Sequence, residues 1–209
     1  MSLIDNLNWR YATKKFDSEK VIAPEQLALL KEAVRLSASS YGLQLYKVLV
    51  INNPEVLEQL KPLCWGQSQI TDASHVFVFC NYTTAEEKHI DEYINLKSTV
   101  QNIPAEDLKP YADFMKGAIS KTTSEEQSIW NKGQTYIALT NLMNMSAELN
   151  IDTCPMEGFQ PKEVSDLLGL TERGLKAALL CPVGYRSEED QTQHMPKVRK
   201  STEELFEEV

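Results

Sequence analysis

His75–Tyr82 reads HVFVFCNY, and from Val76 to Cys80 no polar residue interrupts it. A half-wet strand alternates apolar and polar side chains; an unbroken β-branched and aromatic run needs apolar cover on both faces. The run therefore predicts a central strand sandwiched between layers. Working outward, Tyr46–Asn52 (YKVLVIN) and Ala177–Gly184 read as further strands, with a short one at Ile151–Pro155. Helices separate them. Pro24 opens one at the favoured first-turn position, with Leu27, Leu30 and Val34 as its buried stripe, and Pro54 opens another. Residues 3–9, 86–100, 110–121 and 161–168 also read as helical. The longest helix runs from Glu125 to Leu149, with Ser124 and Gln127 as its capping box. Its apolar face is expected at Ile129, Tyr136, Ile137, Thr140, Met143 and Ala147, with Gly133 allowing close approach of a neighbour. A second capping box, Ser201 with Glu204, opens a terminal helix. Strands interleaved with helices mean α/β or α+β packing around a small sheet, in one domain spanning residues 1–209.

The 209 residues are 42% hydrophobic and 24% charged, enough to bury a core without staples, and the net charge is −9. An acidic chain lacks the basic stripe that releases counterions from nucleic acid, so nucleic-acid partners are not expected. No apolar run approaches bilayer length, and MSLIDNLNWRYATKK lacks the pattern of a secretory signal, which predicts a cytoplasmic protein with no membrane partner. Cys64, Cys80, Cys154 and Cys181 lie far apart and read as reduced core residues.

Spacing excludes several chemistries. His75, His89 and His194 form no H-x-x-x-H pair and have no paired cysteines nearby, so no metal site is expected. There is no G-x-S-x-G elbow and no G-x-G-x-x-G fingerprint. Gly169–Lys176 imitates a phosphate loop until Leu175 takes the lysine position, and reads as a helix end and turn. Four features remain: the cationic Arg10–Phe16 (RYATKKF), the hydroxyl-rich Ser37–Ser40, the turn Cys154–Phe159 (CPMEGF), and Lys197–Lys200 (KVRK). In an extended segment Lys197 and Arg199 share a side.

Together these features resemble the FMN-dependent nitroreductase family, in its branch of oxygen-insensitive NAD(P)H nitroreductases and dihydropteridine reductases. The resemblance runs nearly end to end. It rests on R-Y-A-T-K-K-F-D at Arg10–Asp17, S-A-S-S-Y-G-L-Q at Ser37–Gln44, D-A-S-H-V-F-V-F-C at Asp72–Cys80, P-M-E-G-F at Pro155–Phe159 and P-K-V-R at Pro196–Arg199. It implies an α+β nitroreductase-like sandwich with a mostly antiparallel sheet, and a homodimer holding FMN at the subunit interface, with a C-terminal arm reaching the partner. Arg10, Lys197 and Arg199 match the phosphate clamp, and guanidinium forks and ammonium charges suit a dianion. Lys14 matches the position beside the flavin pyrimidine; Tyr11 and Ala12 flank it. Ser37, Ala38, Ser39, Ser40 and Gly42 match the segment that reaches the cofactor from the partner. Pro155, Met156, Glu157 and Gly158 match the turn whose backbone amides, at Glu157 and Gly158, face flavin N5 and O4.

The chain also departs from the family pattern. Ala12 lacks the hydroxyl many relatives place there, and Gly42 lacks an amide side chain. Trp65–Gln69 (WGQSQ) replaces a more usual Asn and Lys pair, leaving either Gln67 or Gln69 to bond the pyrimidine. The implied activity is ping-pong transfer of two electrons from NADH or NADPH to a small electron-poor acceptor such as a nitroaromatic or quinone. No protein side chain acts as catalyst, because hydride transfer takes place at FMN N5. Tyr41 and Phe114 are expected to line the acceptor slot, and Trp130 reads more as core than as lining. Alternatives on the same scaffold are a pteridine or enone reductase, and a flavin-binding protein without turnover.

Overall fold

The computed structural model describes residues 2–209. In chain order the elements are α1 (Leu3–Trp9), α2 (Pro24–Arg35), β1 (Tyr46–Ile51), α3 (Pro54–Leu63), α4 (Gln69–Asp72), β2 (His75–Tyr82), α5 (Glu87–Gln101), α6 (Lys109–Ile119), α7 (Ser124–Glu148), β3 (Asp152–Thr153), α8 (Pro161–Leu167), β4 (Leu175–Gly184) and α9 (Thr202–Leu205). The strands form one sheet in the order β1-β2-β4-β3, and every neighbouring pair is antiparallel. One parallel bridge, Ala12 to Thr153, adds the N-terminal segment at its edge.

As its composition demands, β2 is covered on both faces. Val76, Val78 and Cys80 join a core with Leu57, Leu60 and Val164 from α3 and α8. Phe77 and Phe79 point the other way, into a core with Leu30 and Val34 of α2 and Ala138, Leu139 and Leu142 of α7. The β2–β4 register slips between Phe79 and Cys80, leaving Ala178 as the extra residue. Such a bulge turns two successive side chains to one face, so Ala178 and Leu179 both enter the α2–α7 core. All four cysteines are buried and unpaired, and burial pushes the Cys64 and Cys80 thiols up to about 12. A third cluster, around Ile90, Met115 and Ile119, packs α5 against α6 outside the sandwich.

Two sequence expectations are corrected. The α7 capping box is Thr123 with Glu126, one residue earlier than Ser124 with Gln127. TTSEEQ carries the motif in both registers, and Gln127 is drawn elsewhere: it accepts from Ala85 N–H at 2.9 Å and donates to the Ile119 and Thr122 carbonyls. The second correction concerns the α7 face. Ala138, Leu139, Leu142 and Ala147 are buried, whereas Ile129 is 65% exposed, Tyr136 40% and Ile137 41%. Thr140 is exposed too, and apart from the adjacent residues and the helix's own backbone no atom of the described residues lies within 4 Å of a Cβ placed on Gly133. A helix apolar on both sides has two faces to cover, and periodicity does not say which one its own chain covers.

Candidate functional site

The two ends of the chain meet beside the β3–β4 edge. Thr13 N–H donates to the Thr153 carbonyl at 3.2 Å, which lays Arg10–Lys15 along β3. From the other end, Lys197 Nζ donates to the Arg10 carbonyl. Arg10 is half-buried, and its Nε is enclosed without a hydrogen-bond partner among the described residues. Burial, and then the Arg199 charge, hold the Arg10 guanidinium below its ordinary pKa. Burial, followed by Arg10 and Arg199, does the same to Lys197. Three cations drawn together at the expense of the charged forms of Arg10 and Lys197, with no carboxylate among the described residues in an ion pair with any of them, make a niche for an anion. Lys14 is exposed and lies near enough to Cys154 to favour its thiolate, although burial dominates and raises that thiol.

A second network holds this segment in place. The buried Asp152 carboxylate accepts from Arg186 Nε at 2.8 Å and from Arg186 N–H at 2.9 Å. The Arg186 guanidinium lies 4.2 Å from the Trp9 ring centre and 4.7 Å from that of Tyr11. Tyr11 donates its hydroxyl to Asp190 at 2.9 Å. Burial, then that bond, raises the Tyr11 pKa well beyond its ordinary value.

The turn after β3 adds donors. Cys154 and Met156 spend their N–H groups on the Pro182 and Leu180 carbonyls, and the half-buried Pro155 has none to offer. The N–H groups of Glu157 and Gly158 find no acceptor among the described residues. The Glu157 side chain turns away to α7, accepting from the Tyr136 hydroxyl and from Lys132 Nζ. Those bonds hold its carboxyl below the usual range.

The two glutamines separate. Gln67 Nε2 donates at 2.9 Å to both the Cys64 and the Gly158 carbonyls, clamping one turn to the other. Gln69, at the start of α4, is largely buried and its side chain makes no hydrogen bond among the described residues. Trp65, which the sequence reading did not single out, is 69% exposed at φ 58° and lies against Gly158. A Cβ on Gly158 would come 2.7 Å from the indole, so glycine is what admits that ring.

Ser37–Gly42 lies elsewhere. Ser37 Oγ accepts from Asn141 Nδ2 at 2.8 Å, Ser40 N–H donates to Gln134 Oε1 at 2.9 Å, and Trp130 Nε1 donates to Ser40 Oγ at 3.2 Å. Ser39 Oγ accepts from Gln44 N–H, while Ala38 and Gly42 are exposed. At 3.6 residues per turn, Gln134 and Lys132 sit about 200° apart around α7. The serine segment and the Glu157 turn therefore occupy opposite flanks of that helix within one chain. Tyr41, held at φ 56°, meets Phe114 and Trp130 edge-on, with ring centres 6.2 and 6.1 Å away. Beside them is a cavity of about 550 Å³ lined by Tyr41, Trp130, Ile119 and Ala118 among others. Trp130 is thus both packing and lining, a combination its helical spacing did not reveal.

Comparison with known proteins places this arrangement in context. Residues 7–185 match the family model described as the nitroreductase family. YfkO of Bacillus subtilis strain 168, to which an NAD(P)H nitroreductase activity is ascribed by name, is 33% identical over 214 residues, covering 97% of this chain and 95% of its own. The major NAD(P)H-flavin oxidoreductase of Aliivibrio fischeri is 30% identical over 211 residues, covering 98% and 97%. Among solved structures, one from Exiguobacterium sibiricum in complex with FMN superposes with a TM-score of 0.85 at 19% identity, covering 100% of this chain and 98% of that one.

Proposed function

The chain belongs to the nitroreductase family, and from that premise we propose that it is an FMN-dependent NAD(P)H oxidoreductase working as a homodimer. The observation that carries this reading is the meeting of Arg10, Lys197 and Arg199, from opposite ends of the sequence, beside a turn with two unused N–H groups. An enclosed guanidinium nitrogen without a partner and mutually repelling cations fit a phosphate dianion. The Glu157 and Gly158 amides fit ring acceptors, and the unpaired Gln69 amide fits the pyrimidine edge.

When bound, FMN would supply two-electron chemistry between NADH or NADPH and an electron-poor acceptor such as a nitroaromatic or quinone, in ping-pong order. The chain's own residues position and bind. Arg10, Lys197 and Arg199 hold the phosphate; Lys14 places a positive charge near the pyrimidine, which favours negative charge there. Gln67 locks the carbonyl of Gly158, so that turn keeps its amides aimed. The exposed α7 stripe of Ile129, Gly133, Tyr136 and Ile137 supports a two-fold pairing. Such pairing would bring a partner's serine segment and its Tyr41–Phe114 aromatics to this niche, and would bury the apolar side chains.

Purified protein should be yellow, and should bleach when NADH or NADPH is added without oxygen. Colourless protein that added FMN cannot reconstitute would defeat the reading. The glutamines give a finer expectation. Gln69→Ala should weaken FMN binding about fivefold, the worth of one hydrogen bond, without moving the melting temperature of the flavin-free protein. Gln67→Ala should instead lower that temperature by about 2–4 °C. The reverse pattern would reassign the two.

A further inference from the structure

Asp190 is 2% exposed in the turn between β4 and the C-terminal arm. Its Oδ2 accepts from Lys14 N–H at 2.8 Å, Lys15 N–H at 3.2 Å and the Tyr11 hydroxyl at 2.9 Å. Its Oδ1 accepts from Thr192 N–H at 2.9 Å, where the arm begins. Among the described residues no Lys, Arg or His makes an ion pair with it. Its Oδ2 thus ties the cationic N-terminal segment to the root of the arm, and its Oδ1 caps the short turn Gln191–His194 with which the arm begins. Those are the pieces that carry Arg10 on one side and Lys197 and Arg199 on the other.

We propose that Asp190 is a positioning residue for the phosphate end of the cofactor site: one carboxylate oxygen ties the arm's root to the N-terminal cations' segment, the other caps the arm's first turn, and together they hold three mutually repelling cations in register. The inference rests on the FMN reading above. Asp190 is not among the groups that shift Arg10 or Lys197, so it ties the two segments together while the niche keeps its positive charge for the ligand.

Asparagine tests this sharply. It has one acceptor oxygen and one donor group, so it can satisfy the three donors at Oδ2 only by turning its NH2 toward Thr192 N–H. Asp190→Asn therefore uncaps the arm's first turn, loosening the direction in which the arm leaves, while the N-terminal segment stays held. The full-length protein is titrated with FMN and with riboflavin, which has the same ring and no phosphate. Wild type is expected to prefer FMN strongly. Asp190→Asn should lose about tenfold of that preference, the size of a charged hydrogen bond, with riboflavin affinity within about twofold of wild type. If both ligands weaken together, or the FMN-to-riboflavin ratio holds, the positioning role is wrong. Should asparagine prevent folding, Thr192→Pro removes the N–H that Oδ1 accepts, leaves the three bonds at Oδ2 in place, and is held to the same two outcomes. A wild-type protein that binds both ligands equally would overturn the FMN phosphate reading itself, a result distinct from either.

Discussion

Arg10→Ala is expected to weaken FMN binding about a hundredfold while leaving the flavin-free protein as stable as before. A bidentate guanidinium–phosphate contact is worth about 3 kcal/mol when partly shielded from water, which is two decades in affinity. Arg10 is half-buried with Nε unpartnered, so the fold bears a desolvation cost that only an anion offsets. Removing the guanidinium also removes repulsion from Lys197 and Arg199, whose charges it disfavours or is disfavoured by. The two effects have opposite signs: the melting temperature without FMN should hold or rise, and the increase produced by saturating FMN should shrink. Lys88→Ala is the control, since Lys88 pairs with Glu86 on an exposed helix start. Fluorescence titration and thermal melts decide it. Equal losses in the two variants would remove Arg10 from the phosphate niche.

The second large effect concerns Ile137. Replacement by glutamate costs the single chain little, because the side chain faces outward from α7. Across a paired interface the same carboxylate would be buried without a partner, at several kcal/mol. Ile137→Glu should therefore raise the dimer dissociation constant at least about a thousandfold. Sedimentation should find a dimer for wild type and a monomer for the variant, with helical circular dichroism retained. Flavin should be lost along with the dimer, because Ser37–Ser40 lies on the flank of α7 away from its own chain's Glu157 turn. A variant that remains dimeric and yellow would refute both the interface and the donation of that segment by the partner.

Much of the architecture was legible residue by residue. HVFVFCNY announced a strand covered on both faces, and helices do cover both faces of the sheet that holds it. Pro24 and Pro54 marked helix starts to the residue. GLTERGLK, read as a helix end and turn, follows the end of α8 and turns at Gly169 and Gly174, at φ 60° and 66°, while its last two residues already belong to β4. Other points were not legible. TTSEEQ carries the cap in two registers, and only the Ala85 N–H and the Ile119 and Thr122 carbonyls, all distant from Gln127 along the chain or supplied by the preceding helix end, draw Gln127 away. Gln67 and Gln69 are alike in composition and spacing; the Gly158 carbonyl, 91 residues away, tells them apart. Asp190 sits in the acidic run SEEDQ, which looks like a solvated turn.

By itself, then, the chain's order of side chains determined all four strands and every helix but α4, and that an acidic chain carries cationic segments at its two ends. Those properties follow from local sterics and from the period at which apolar groups recur, both readable over a few residues. Only the tertiary structure decided which side of α7 its own core uses, which glutamine keeps a free amide, and that Asp190 draws the two ends together. Each of these depends on a partner many residues away, and a buried hydrogen bond or a covered face exists only once that partner has arrived.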